Sequence, residues 1–347
     1  MFRITARVPR KALAIGTPTA WGATVLAYQL TCPLAQREGV CARVVSGALL
    51  LAVGAGLLLH TRRALLRELR QARTVAGAAQ SVLLRPPPAR VDGMRIAAAQ
   101  LSADRGARVG GDLYEVVATE HGLRVLIGDV RGHGIGALGT VAAVLGSFRE
   151  AAHDEPELGG VLRRLDRALA RHLGERGAHD DSAEDFVTAL LLEITPDGDI
   201  TALNCGHPWP FLLCDGGVEP LARADPLPPV GPFPLPGDLT PVRCGVFLPG
   251  DVLVLHTDGV EDARDPAGRF FPLRATLAAL ADRLPAAPET TLRLLFSALL
   301  RHTRGRPADD VALVVLRNDR ARVTCGPLAA QASDQGGAAP GTRPAAG

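Results

Sequence analysis

The chain has 347 residues, of which 47% are apolar, and a formal net charge of only +2. That length holds one large domain or two small ones, with ample apolar material for a core. The balanced charge argues against a dedicated nucleic-acid surface. Almost all of the positive charge is arginine and aromatics make up 4%, which reads as coding bias rather than function.

Residues 1–11 carry Arg3, Arg7, Arg10 and Lys11. Two uncharged apolar stretches follow within residues 12–60, at 12–30 and 44–59, each close to the ~20 residues that span a bilayer. Arg62, Arg63, Arg67 and Arg70 come after the second. Basic residues on both flanks place both ends in the cytoplasm, so the segment reads as a two-helix transmembrane hairpin with a short outer loop. A cleaved signal peptide fits less well, because the region after Leu30 offers no small-x-small cleavage site and a second span follows. Cys32 and Cys41 would lie on the outer, oxidising side, either bonded to close the hairpin or as two free thiols. The other cysteines show no Cys-x-x-Cys spacing, which argues against a zinc site.

Residues 61–82 are rich in helix formers, and Leu65, Leu66, Leu69, Ala72 and Val75 recur at three- and four-residue steps. They form a helical stem. It is either a coiled coil that makes a homodimer or a helix that packs on the following domain or the membrane surface. Pro86-Pro87-Pro88 ends it. Strand-type runs then fall at 95–101, 114–119, 123–130, 187–194, 200–204, 252–256 and 311–316, and helical runs at 137–152, 158–176, 273–284 and 289–303. Short turns such as Glu120-His121-Gly122 and Pro196-Asp197-Gly198 join consecutive strands as antiparallel hairpins. Helices come in pairs rather than alternating with strands. The pattern predicts an α+β layered sandwich over residues 83–318, followed by an Ala-, Gly- and Pro-rich tail at 319–347 whose composition does not fold.

Four aspartates stand at the borders of apolar runs: Val109-Gly110-Gly111-Asp112-Leu113-Tyr114-Glu115, Gly128-Asp129-Val130-Arg131-Gly132-His133-Gly134, Thr257-Asp258-Gly259 and Ala308-Asp309-Asp310. Any one of them alone is a routine turn residue. Together they are oxygen donors suited to a hard divalent cation such as Mg²⁺ or Mn²⁺. Gly132-His133-Gly134-Ile135-Gly136 lacks both the Lys-Ser/Thr of a phosphate loop and the spacing of a dinucleotide fingerprint.

From about Leu83 to Leu316 the chain resembles the bacterial SpoIIE/RsbU-type branch of the PPM (PP2C-like) protein phosphatases. The four aspartate motifs carry the resemblance, together with Leu84-Arg85-Pro86, Ala97-Ala98-Ala99, Asn204-Cys205-Gly206-His207-Pro208, Pro249-Gly250-Asp251 and Asp310-Val311-Ala312-Leu313, in that family's order. The resemblance implies an αββα sandwich that holds two Mn²⁺ or Mg²⁺ ions. Asp129 would bridge both ions, Asp258 and Asp309 would hold one, and Asp112 with the Val130 carbonyl would hold the other. Asp310 is expected as a neighbour, with the choice between it and Asp309 left open. The implied reaction is hydrolysis of phosphoserine or phosphothreonine by a metal-activated water at Asp129 and Asp258, with His133 a candidate proton donor to the leaving oxygen. The implied substrate is a regulatory phosphoprotein such as an anti-sigma-factor antagonist, reached from the inner face of the cell membrane. A non-catalytic binding module on the same fold is the alternative. Glu115 stands where the family usually has a second aspartate, and Glu261-Asp262 replaces its usual Thr-Glu. Both departures bear on metal affinity. His207 is expected to order its loop by hydrogen bonds.

Overall fold

The computed structural model describes residues 21–22, 24, 40–101, 110–131, 135–176, 186–214, 217–281 and 287–320. Its first long element is a continuous helix, α1 (Val40–Leu83), which runs through the second apolar stretch and the stem without a break. Within it Val44–Glu68 is 25 residues long with a mean hydropathy of 1.9, long and apolar enough to cross a membrane. Val44, Val45, Leu49 and Leu51 point outward. This is the one such helix among the described residues. Apart from residues 21, 22 and 24, the first apolar stretch lies outside the described residues, as do Cys32 and the tail from residue 321.

The remaining elements are β1 (Arg90–Val91), β2 (Met94–Leu101), β3 (Asp112–Thr119), β4 (Gly122–Val130), α2 (Ile135–Asp154), α3 (Leu158–Arg176), β5 (Val187–Ile194), β6 (Asp199–Cys205), β7 (Phe211–Cys214), β8 (Gly217–Pro220), β9 (Val242–Val246), β10 (Val252–His256), α4 (Asp258–Glu261), α5 (Leu273–Ala281), α6 (Pro288–His302) and β11 (Val311–Asn318). One sheet has the order β1-β2-β11-β10-β7-β8 and the other β3-β4-β5-β6-β9. Neighbouring strands in both are antiparallel.

Three apolar layers show how these elements stack. Leu145, Phe148, Leu162 and Leu169 of α2 and α3 bury against Leu113, Leu126 and Leu191 of one sheet. Val125, Ile127, Leu190 and Leu192 of that sheet meet Leu253, Leu255, Val314 and Leu316 of the other. Leu277, Leu295 and Leu299 of α5 and α6 cover the outer face of the second sheet at Val254, Leu313 and Val315. The result is the expected αββα sandwich. Strands β4, β10 and β11 are buried on both faces, which is why they read as near-continuous apolar runs. Each fully buried Leu or Phe side chain contributes about 1.5–3 kcal/mol relative to exposure.

The structure also adds elements that the sequence pattern leaves out: β1, β7, β8, β9 and the four-residue α4. A second addition is a buried charge. Arg124 of β4 is 0% exposed. It pairs with Glu193 at 2.8 Å and donates to the carbonyls of Ala152, Glu155 and Pro156 at 2.9, 2.5 and 2.8 Å. A cation is thereby fixed at the C-terminal end of α2, where unpaired carbonyls concentrate negative charge. This contact ties the helix layer to the sheet.

Candidate active site

Asp112 opens β3 and lies directly across the ladder from Asp129 near the end of β4. Side chains alternate along a strand. On these strands Tyr114, Val116, Val125 and Ile127 face the layer between the sheets, so Asp112 and Asp129 extend that row beyond the apolar core. Val130 is on the other parity and packs among α2 and α3, so only its backbone carbonyl is placed to serve the site. From the facing sheet, Asp258 begins α4 directly after β10, and Asp309-Asp310 immediately precedes β11, the neighbour of β10.

Thr257 joins the two halves. Its hydroxyl donates to Asp112 Oδ2 at 3.0 Å and accepts from the Ala312 N–H at 2.9 Å, while its own N–H donates to the Ala312 carbonyl at 3.1 Å. Asp310 is seated between two glycines. A β-carbon at Gly259 would collide with its backbone carbonyl, and one at Gly110 with its carboxylate. The glycines that flank the aspartates in sequence therefore permit close approach rather than an unusual backbone angle.

The carboxylates act on one another. Burial raises Asp112 well above the ordinary carboxylate range, and Asp129, Asp310 and Asp258 push it further, against the Thr257 hydrogen bond. Asp129 is pushed up to about 7, first by burial and then by Asp258, Asp309 and Asp310. Burial and Asp309 raise Asp258 as well. Asp309 and Asp310 both belong to this group: Asp129 senses both, Asp258 senses Asp309, and Asp112 senses Asp310. Among the described residues no three His, Cys, Asp or Glu side chains stand close enough to hold an ion as they are. The donor set is all oxygen, so in chemistry it fits Mg²⁺ or Mn²⁺ and not zinc. A site in which carboxylates raise each other's pKa lacks positive charge.

His133 lies outside the described residues. Glu115 is on the helix-facing side of β3 and is held by Arg149, whose Nε donates to it at 2.8 Å. Arg149 also donates to the Leu83 carbonyl at the end of α1, at 2.6 Å. The departure at Glu115 therefore points away from the aspartates. Arg131 is engaged over the Phe186 ring at 5.3 Å. His207 orders its loop as expected. Its N–H donates to Asn204 Oδ1 at 2.8 Å and Asn204 Nδ2 returns a bond to the His207 carbonyl at 2.8 Å. On the ring, Nε2 donates to the His256 carbonyl at 3.1 Å and Nδ1 accepts from the Thr188 hydroxyl at 3.2 Å. Thr188 is the cross-strand partner of Asp129, so this loop backs the strand that carries the central carboxylate. Sequence reasoning did not assign Thr257 a role. A hydroxyl residue between an apolar strand and an aspartate was its only signal.

The model for stage II sporulation protein E (SpoIIE) matches residues 119–319, more than half of the chain, and includes Asp129, Asp258 and Asp309. The chain belongs to the SpoIIE family. Within 159 aligned residues this SpoIIE-family chain is 31% identical to the phosphoserine phosphatase RsbP of Bacillus subtilis (strain 168), covering 45% of this chain and 38% of RsbP. It thus spans well under half of that relative's length. The SiaA-PP2C domain of Pseudomonas aeruginosa has a similar fold, with a TM-score of 0.58 at 18% identity over 73% of this chain and 98% of that domain. The PP2C phosphatase domain of SpoIIE from Bacillus subtilis, with a fragment of its regulatory domain, gives 0.50 at 19% identity over 65% and 63%.

Proposed function

We propose that this SpoIIE-family chain is a membrane-tethered, divalent-cation-dependent phosphatase that hydrolyses phosphoserine or phosphothreonine on a regulatory protein. The observation that carries the reading is the convergence of Asp112, Asp129, Asp258 and Asp309 from distant parts of the chain to one end of the two sheets. Family membership and the similarity to a protein named a phosphoserine phosphatase support the substrate class.

In this reading Asp112, Asp129, Asp258 and Asp309, with the Val130 carbonyl, would hold two Mn²⁺ or Mg²⁺ ions. Such ions supply Lewis acidity and lower the pKa of a bound water. Thr257 fixes the rotamer of Asp112, and Gly110 and Gly259 let Asp310 sit beside the ligands. His133 donates the proton that the leaving serine or threonine oxygen needs. The regulatory protein is proposed to be an anti-sigma-factor antagonist. Val44–Glu68 is the span that holds the site at the inner face of the membrane. Support for a second helix beside it comes from Trp21, whose indole N–H reaches the Leu50 carbonyl at 3.4 Å and whose ring covers Gly54. The stem at 61–82 is proposed as the dimer contact.

Phosphate release from phosphoserine and phosphothreonine peptides by the full chain tests this, measured with Mn²⁺ and with chelator. Release that requires Mn²⁺ is expected. Release in chelator at the same rate, or none in either condition, counts against the reading.

A further inference from the structure

The loop after α4 builds a groove beside the aspartates. A cavity of about 490 Å³ lies against Phe211, Phe271 and Leu273, with Phe270 on one rim and Glu261 and Asp262 on another. Phe270 is 52% exposed. It is nevertheless held: the Arg264 guanidinium stacks on its ring at 4.0 Å, and Arg269 pairs with Asp265 at 2.7 Å in the same loop. An immobilised, exposed aromatic is costly in water and is the usual anchor of a recognition surface.

The groove is also lined by the carboxylates of Glu261 and Asp262. His256 is 1% exposed and stacks under Phe211 at 5.8 Å. Its Nδ1–H donates to the Thr257 carbonyl at 3.3 Å. Its Nε2 is buried and lies 3.8 Å from Glu261 Oε1. Arg274, also on the rim, is taken by Glu219 at 2.7 Å, so Glu261 and Asp262 set the sign of the open face.

We infer that this groove docks a segment of the phosphoprotein substrate in which an apolar side chain sits next to a lysine or arginine. The apolar side chain packs on Phe270 and Phe271, and the basic one pairs with the Glu261 and Asp262 carboxylates that line the groove. The inference rests on the phosphatase reading above. Asp258 and Glu261 are the first and last residues of α4, about 5 Å apart along a helix rising ~1.5 Å per residue. The docked segment is therefore within a few residues of the phosphorylated side chain.

The test uses the full chain in lipid nanodiscs and two labelled phosphoserine peptides. One has leucine and arginine close to the phosphoserine, and the other has aspartate at both places. Fluorescence polarisation measures binding, and p-nitrophenyl phosphate, too small to reach the groove, reports basal turnover. The Leu/Arg peptide is expected to bind about tenfold or more tightly than its partner. Phe270→Ser is expected to remove that preference and leave p-nitrophenyl phosphate turnover unchanged. Equal binding of the two peptides, or a preference that survives in Phe270→Ser, overturns the inference. Loss of peptide binding as the protein self-associates also overturns it, since a second copy would then fill the groove. Selective peptide binding without hydrolysis of either substrate keeps the groove and removes the phosphatase reading instead.

Discussion

The Thr257 hydroxyl donates to Asp112 Oδ2 at 3.0 Å, across 145 residues of chain. It is a direct side-chain link between the two sheets at the end where the aspartates gather, and it is fully buried. Replacing Thr257 by valine keeps the shape but leaves the Ala312 N–H without its acceptor. A loss of about 1–3 kcal/mol is expected from that unsatisfied group, together with weaker Mn²⁺ binding in calorimetry. Thr257→Ser should restore both. A valine variant with unchanged Mn²⁺ affinity would show that Asp112 is oriented without Thr257.

Gly259 has no room for a side chain, because a β-carbon there meets the Asp310 carbonyl. Gly259→Ala must push the Asp309-Asp310 turn away from Asp129 and Asp258. A shift on the order of 1 Å costs about 100-fold in rate. The expected result is a loss of that size in kcat/KM, with a circular dichroism spectrum like that of the parent.

Arg124 makes a prediction about the fold alone. With its charge balanced by Glu193 and three carbonyls in a fully buried position, Glu193→Gln leaves the guanidinium short of its counter-charge. Breaking a buried pair from one side costs about 3–5 kcal/mol. Chemical denaturation should show a loss of this order for Glu193→Gln, and a larger recovery in Arg124→Met/Glu193→Met than in either single variant.

The four aspartates were legible because each stands at the border of an apolar run, three with a glycine beside them and Asp309 with Asp310, and the layered fold was legible because β4, β5, β10 and β11 are largely buried apolar runs. Strands β7 and β8 have four residues each and include Gly217 and Pro220, too short to show a period. Strand β9 is largely exposed and has no apolar alternation to read. Arg124 looks like a solvent-facing residue in a strand, and only the position of the α2 terminus reveals why it is inside. Which strands lie side by side is equally hidden: Asp112 and Asp129 meet through a hairpin, but Asp112 and Thr257 meet only because two sheets stack.

His207 gives a pH dependence with a definite sign. Burial first, and then His256, pull it down to about 3, against the hydrogen bond to the His256 carbonyl. In the unfolded chain a histidine protonates near ~6.5. Between these values the unfolded state binds the extra proton, so stability rises with pH. The contribution is complete above about 6.5 and is lost progressively as pH falls toward 3. From pH 7 to pH 5 the wild type should lose more in Tm than His207→Asn does under the same conditions. Equal losses would mean that His207 is protonated in the folded state.

Asp129 is proposed as part of a cation-dependent phosphoryl-transfer site. Phosphate release from a phosphoserine peptide by the full chain in Mn²⁺, compared between wild type and Asp129→Asn, tests it most directly. Turnover in the wild type and none detectable in Asp129→Asn, with Mn²⁺ raising the Tm of the wild type only, is the expected result. Equal turnover in the two proteins, or no Mn²⁺-dependent shift in the wild type, would contradict it.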